Sequence, residues 1–354
     1  METVLFLAHA DGDGSLPRPA LEALGVARRV ARAAGASGFS CGVVGGQVDR
    51  AAESLAASGA ARVFAVQGED FAPSRYASDA AAAEAIARAA GATIAIAPGT
   101  SRWARALPGA AHRLGGRTDT HVVAVEAAEG RIAVSRWFYR QRLYGTLERS
   151  TRPWFIAIEP GAVPPVPESD LAGAMAPIER LSVAVPEAAR RTRVVAIEAP
   201  AEDEQTIRPD AKLLFVAGAG WTKKQADGKA HVEEAERLIL EFLRRTKASL
   251  GSTKSLVDLR GEGEAVLRFL THLHQIGQTG STPRHPKGLA TCCHGEEPHV
   301  VGWRFVGERR AVNADPACGW TRGKADVVYV ADAFQVLAAL NRILAEGGCT
   351  ASSG

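Results

Sequence analysis

Cysteine is scarce and odd in number: Cys41, Cys292, Cys293, Cys318 and Cys349 are the five in 354 residues, and no Cys-x-x-Cys occurs. That excludes a disulfide framework and implies a reducing, cytoplasmic compartment. No run of ~18 apolar residues occurs, so no membrane span is expected. The start, Met1-Glu-Thr-Val-Leu-Phe-Leu-Ala8, has an early acid, no basic n-region and too short an apolar run for a signal peptide. Charge of one sign is lacking as well. A net charge of +3, evenly spread, is too small for a nucleic-acid footprint. Hydrophobic residues at 46% and charged residues at 23% are ordinary globular usage, which excludes global disorder. The length favours two domains.

The first half alternates short β-branched runs with Ala-rich helical stretches. Val4-Leu-Phe-Leu-Ala8 reads as a buried strand. Pro17 and Pro19 stand where a helix can start; Leu21, Leu24, Ala27 and Ala31 recur at helical spacing, and Gly35 can close the helix. The cycle repeats through Cys41–Val44, Val48–Ala57, Val63–Val66, Ser78–Ala90 and Thr93–Ala97. Such alternation predicts βαβ units and a parallel sheet covered on both faces. After Arg117 come Val122–Val125, Arg131–Val134 and Pro153–Ile158 with no helix between, which predicts an antiparallel extension. Residues 159–178, rich in proline, read as a linker-like stretch. Lys212–Val216, a helix face of Ala235, Leu238, Ile239, Phe242 and Leu243, the strand Asp326–Ala331 and a closing helix with Phe334, Leu337, Leu340 and Leu344 mark a second α/β unit. The expected domains are 1–190 and 191–346, with a frayed tail over 347–354.

Several segments have two readings. Gly218-Ala-Gly220 follows a strand; it is either a tight turn or a backbone approach to a pyrophosphate. Ile276-Gly-Gln-Thr-Gly-Ser281 offers backbone N–H groups, a hydroxyl and an amide, as a phosphate or flavin edge would require, or it is a polar surface turn. Cys292, Cys293, His294 and His299, with Cys318, supply enough ligands for zinc, but vicinal thiols suit one metal poorly and buried structural thiols are the favoured reading. Asn313 in Val312-Asn-Ala-Asp-Pro316 either holds a ligand or makes an ordinary turn. The segment Arg136-Trp-Phe-Tyr-Arg-Gln-Arg142 fits strand alternation with outward arginines better than nucleic-acid stacking. Arg113-Leu-Gly-Gly-Arg117 reads as a domain-packing loop.

Taken in order, these pieces resemble the alpha subunit of electron transfer flavoprotein, the FixB-like family, from about Val4 to Leu344. In the first domain the resemblance rests on Gly116-Arg-Thr-Asp-Thr-His-Val122. In the second it rests on Gly218-Ala-Gly220, Ser252-Thr-Lys254, Ile276–Gly280, His294-Gly-Glu-Glu-Pro-His299, Asn313-Ala-Asp-Pro316 and Val330-Ala-Asp-Ala-Phe334. The implied fold is α/β in two domains: a parallel-sheet domain with an antiparallel extension, then a Rossmann-like domain that binds FAD.

By the same resemblance the FAD contacts are Gly218, Gly220, Thr253, Lys254, Ile276, Gly277, Gln278, Thr279, Gly280, His294, Gly295, Glu296, Glu297, Pro298, His299, Asn313, Asp332 and Ala333. Where the family has arginines, this chain has Ala219 and Lys254, and His294 replaces its serine. The implied activity is electron transfer, from a primary dehydrogenase to a quinone-linked or iron–sulfur acceptor, in a heterodimer with a beta subunit. No catalytic acid–base pair and no metal are expected. The alternatives are an alpha-like binding or structural subunit without redox-competent FAD, and a stand-alone flavin oxidoreductase.

Overall fold

The computed structural model describes residues 2–36, 38–128, 130–139, 143–196, 207–208, 211–258, 265–277, 283–291, 304–317 and 325–346. The chain divides into two compact units, Met1–Ile197 and Glu198–Gly354.

The first unit opens with β1 (Thr3–His9), α1 (Arg18–Ala33), β2 (Gly38–Gly45), α2 (Asp49–Ala56), β3 (Arg62–Gln67), α3 (Tyr76–Ala90), β4 (Ile94–Pro98) and α4 (Ser101–Arg113). Five further strands follow: β5 (Arg117–Ala128), β6 (Arg131–Phe138), β7 (Leu143–Glu148), β8 (Trp154–Ile158) and β9 (Ile178–Arg180). Among the described residues they form one sheet in the order β7-β6-β5-β8-β4-β1-β2-β3-β9. β1 is apolar on both faces because both are covered. Val4, Phe6 and Ala8 join the core under α1 and α2, whereas Leu5 and Leu7 join the core under α3 and α4. Pro17 and Pro19 do flank the start of α1, and Gly35, at φ +56°, takes the left-handed position just beyond its end.

Two features differ from the sequence expectation. The antiparallel extension consists of β5, β6 and β7. β8 does not belong to it: the strand returns to the interior and runs parallel to both β4 and β5. Its run Trp-Phe-Ile-Ala-Ile is buried at every position, which an edge strand cannot offer. The second difference is the 113–117 loop. Gly115, at φ +70°, follows α4, and a Cβ on Gly116 would lie 2.1 Å from the Pro153 carbonyl oxygen. Gly116 serves close packing inside the first unit, and Gly115 supplies the positive φ that turns the chain.

Two buried carboxylates pin this sheet to its neighbours. Asp119 on β5 accepts from Arg136 of β6 (2.8 Å), from Arg149 beyond β7, and from the Trp154 indole of β8 (2.9 Å). Arg136 is thus turned inward, not outward. Burial alone would raise the Asp119 carboxyl; the bonds from Arg149, Arg136 and Trp154 outweigh it and hold it below the ordinary value. Asp79, in the first turn of α3, accepts from Arg102 Nη2 of α4 (2.7 Å) and lies 3.3 Å from His9 Nε2 at the end of β1. The His9 ring lies against Trp103, with centroids 3.9 Å apart. The proline-rich stretch after β8 is tied down as well: Gly161 N–H donates to the buried Glu22 carboxylate and Val166 N–H to the Leu21 carbonyl.

The second unit contains β10 (Leu213–Ala217), α5 (Val232–Thr246), β11 (Ser249–Ser252), α6 (Lys254–Asp258), β12 (Lys287–Thr291), β13 (Glu308–Asn313), β14 (Val327–Val330) and α7 (Ala333–Glu346). Its strands are all parallel, in the order β11-β10-β12-β13-β14. The chain starts at β10, pairs β11 on one side, then crosses to β12 and moves outward. That reversal makes a topological switch point between β10 and β12, outside whose carboxyl ends ligands bind in open parallel sheets. Ala235, Leu238, Ile239, Phe242 and Leu243 of α5 are buried on the sheet, as the helical spacing predicts.

Candidate functional site

The pairing register sets the carboxyl edge of the second sheet. Ala217 lies beside Ser252 and Thr291, Thr291 beside Val312, and Asn313 beside Val330. Every described residue among the sequence-predicted contacts follows one of these strand ends or adjoins it. Gly218 and Gly220 follow β10, Thr253 and Lys254 follow β11, Asn313 ends β13, and Asp332 and Ala333 follow β14. Ile276 and Gly277 are brought alongside β11 by the bond from Ile276 N–H to the Ser252 carbonyl (3.1 Å). Gly277 has φ +127°, a left-handed value that glycine tolerates. Gln278, Thr279, Gly280, His294, Gly295, Glu296, Glu297, Pro298 and His299 lie outside the described residues, as do Cys292, Cys293 and Cys318.

The loop after β10 is a short 3-10 turn, Ala219–Thr222. Gly218 N–H donates to the Thr291 carbonyl (2.9 Å) and Trp221 Nε1 donates to Thr291 Oγ1 (2.8 Å). Thr291 Oγ1 in turn donates to the Val216 carbonyl, and the Trp221 ring packs on Phe334 of α7 with centroids 4.6 Å apart. Trp221 therefore latches the turn to two neighbouring elements and dries the floor of the edge. Ala219 is buried in the same core. Sequence reasoning missed this latch; its signal was a Trp directly after a Gly-x-Gly.

Three polar atoms at this edge stand out. Ser252 Oγ, Thr253 Oγ1 and Asn313 Nδ2 are buried and have no hydrogen-bond partner among the described residues. Ser252, Thr253 and Asn313 are each fully shielded from solvent. A buried donor or hydroxyl left unpaired costs on the order of 1–3 kcal/mol, so such atoms mark a place for a ligand or ordered water. The amide oxygen of Asn313 is committed: Oδ1 accepts from Asp315 N–H (2.9 Å), the Asx turn expected of Asn-x-Asp-Pro. Asp332 Oδ1 accepts from Gln335 N–H (3.1 Å) and caps α7. Ser252 was not among the sequence-predicted contacts, although a Ser-Thr pair at a strand end was legible there.

Thr253 and Asn313 follow strands separated by β10 and β12. Three strand spacings of about 4.8 Å put them about 14 Å apart along the edge. A ligand that satisfies both must be long, with polar groups at both ends, as an extended dinucleotide is. Lys254 is exposed and begins α6. Among the described residues no cluster of His, Cys, Asp and Glu is arranged to hold a metal ion, and no helix is long and apolar enough to cross a membrane.

A family model described as electron transfer flavoprotein domain matches residues 4–186. The match covers the strands and helices of the first unit through β9; the carboxyl edge just described lies beyond it. No curated protein matches the chain.

Proposed function

Because the chain belongs to the electron transfer flavoprotein domain family, we propose that it is the alpha-type subunit of an electron transfer flavoprotein, with FAD at the carboxyl edge of its second sheet. The observation that carries this reading is the set of orphaned polar atoms at the ends of β11 and β13. They sit where a doubly wound sheet binds its ligand and are spaced for a dinucleotide. Gly218 and Gly220 would admit the cofactor close to the backbone. Thr253 Oγ1 and Asn313 Nδ2 would bond it from opposite ends of the edge. Lys254 supplies positive charge from the start of α6, without the bidentate fork of the family's arginine. Ile276–Gly280 and His294–His299 complete the contacts on the resemblance alone. Bound there, FAD takes up and releases electrons; the chain orients it, keeps water from the floor through Trp221, and tunes it by charge and hydrogen bonds.

The same reading makes the chain half of a heterodimer with a beta subunit. It would accept electrons from a primary dehydrogenase and pass them to a quinone-linked or iron–sulfur acceptor. One observation favours the second reading, a subunit without redox-competent FAD: the residue at the family's arginine position is Ala219, buried in the apolar core.

A visible spectrum of the chain co-purified with its partner subunit, followed by acid release and mass identification of the cofactor, separates the two. The proposal expects one FAD per heterodimer. A colourless heterodimer that takes up no added FAD overturns it in favour of the second reading.

A further inference from the structure

The second sheet carries a cavity along its helix-covered face, running from the start of β12 and β13 to Val330 and Ala331 near the carboxyl edge. It has a volume of about 790 Å³ and lies between the sheet and the helix pair α5 and α7. Its walls are apolar: Phe242 from α5, Val336 and Leu340 from α7, and Leu289 and Val312 from the sheet. Its length follows the strands. From Glu308 to Val312 on β13 is four residues, about 13 Å at about 3.3 Å each.

The polar groups are not scattered along this length. Lys287 and Glu308 stand where β12 and β13 begin, and Arg310, two residues along β13, holds its guanidinium within 3.9 Å of Glu308. Lys287 is exposed and makes no ion pair with a described residue. Arg310 makes two long contacts, one to the Tyr329 hydroxyl at 3.4 Å and one to Glu308 at 3.9 Å. Its guanidinium carries five N–H donors, so most of its bonding capacity is unused. Two cations against one carboxylate leave that end net positive, while the rest of the cavity has no charge to offer. A volume in the range of small-molecule sites, with apolar walls and polar groups converging at one end, is the physical description of a ligand pocket.

We propose that this cavity binds a small amphipathic monoanion: an extended apolar body along the strands, with a carboxylate or similar head at Arg310 and Lys287. Charge and shape act separately here, so they can be tested separately. Isothermal titration of the full chain with decanoate, decanol and decyltrimethylammonium, below their micelle concentrations, compares three heads on one tail. Decanoate should bind at one site and about ten-fold more tightly than decanol, with the ammonium weakest, since a charge-assisted hydrogen bond contributes at least the 1.4 kcal/mol that a factor of ten requires. Arg310→Met, at an exposed position, should remove the preference for decanoate over decanol. Leu340→Trp should abolish binding of both. Amide exchange should slow in α7 and β14 on decanoate addition. If Leu340→Trp fails to fold, Arg310→Met and the exchange map still decide the matter. Equal affinity for decanoate and decanol, no saturable binding, or protection confined to other elements would overturn the proposal.

Discussion

Acidification should weaken the first unit through His9, in a pH range above that in which Asp79 and Asp119 titrate. The His9 ring is wedged between Trp103 and the Asp79–Arg102 pair, and burial drives its pKa from 6.5 down to about 4. The hydrogen bond to Asp79 pulls the other way without prevailing. A group whose folded pKa lies below its unfolded value binds protons first in the unfolded chain. Stability is therefore full above about pH 6.5 and is lost as pH falls toward 4. The whole shift is worth at most about 3.4 kcal/mol at 1.36 kcal/mol per pH unit, and about 2.4 kcal/mol of it falls between pH 7 and pH 4.5. Asp79 and Asp119, both held below the ordinary carboxylate value, lose their contributions only at lower pH. His121, raised by its bond to Glu159, contributes stability that is full below about pH 6.5 and lost as pH rises, so it changes little across the His9 range. His9→Gln removes the titrating group, keeps an amide donor for Asp79 and leaves His121 in place. Urea melts at both pH values, read by pulsed amide exchange of β1, β2 and β4 peptides, report this unit alone. At about 2 kcal/mol per M urea, the wild-type midpoint should fall about 1 M further than the variant's. Equal shifts in the two proteins would mean that His9 is solvated or already charged at neutral pH, and would refute the argument.

Gly116→Ala and Gly109→Ala should separate cleanly in thermal melts. A Cβ would meet the Pro153 carbonyl at 2.1 Å in the first and the Tyr76 hydroxyl at 2.2 Å in the second. Backbone cannot step aside, so Gly116→Ala should lose at least about 2 kcal/mol, whereas exposed Tyr76 can swing away and Gly109→Ala should stay within about 1 kcal/mol. Asp119→Ala should cost about 3–5 kcal/mol in urea titration, because Arg136, Arg149 and the Trp154 indole all lose their acceptor. Thr253→Val and Asn313→Asp should each weaken FAD binding by about 1–3 kcal/mol in equilibrium dialysis, and Thr253→Val should leave the FAD-free chain as stable or more so, since its hydroxyl has no partner. Lys254→Ala should lower the flavin midpoint potential in spectroelectrochemistry, with Lys254→Arg milder, because a nearby cation favours the reduced, anionic flavin.

The periodic parts of the fold were legible. The alternation that buries β1 through β4 and the α5 stripe of Ala235, Leu238, Ile239, Phe242 and Leu243 can be read directly, because burial on one or two faces imposes the pattern. α4 was not legible: Pro108-Gly109 in its middle reads as a breaker, yet the helix continues through both. The destination of β8 was not legible either, since a both-faces-buried run says that a strand is central but not which neighbours it separates. At the candidate site, Gly218, Thr253 and Asn313 could be named from residue order. What the sequence could not supply is the register that lines up their strand ends, the orphaned state of their side-chain atoms, or the Trp221 latch, all of which depend on contacts distant in the chain.

The insertion of β8 between β4 and β5 also constrains the order of assembly. Everything from β1 to α4 can pair and pack as it emerges from synthesis, because each new strand finds its partner already made. β5, β6 and β7 can zip together as a meander of their own, with only local loops to close. Yet these two pieces share no strand-to-strand bond until residues 154–158 arrive. β8 is thus the clasp of the sheet, made after both of the pieces it joins and central in space. Until it is seated, β4 and β5 each present an open edge, the state in which a nascent chain most needs protection from mispairing.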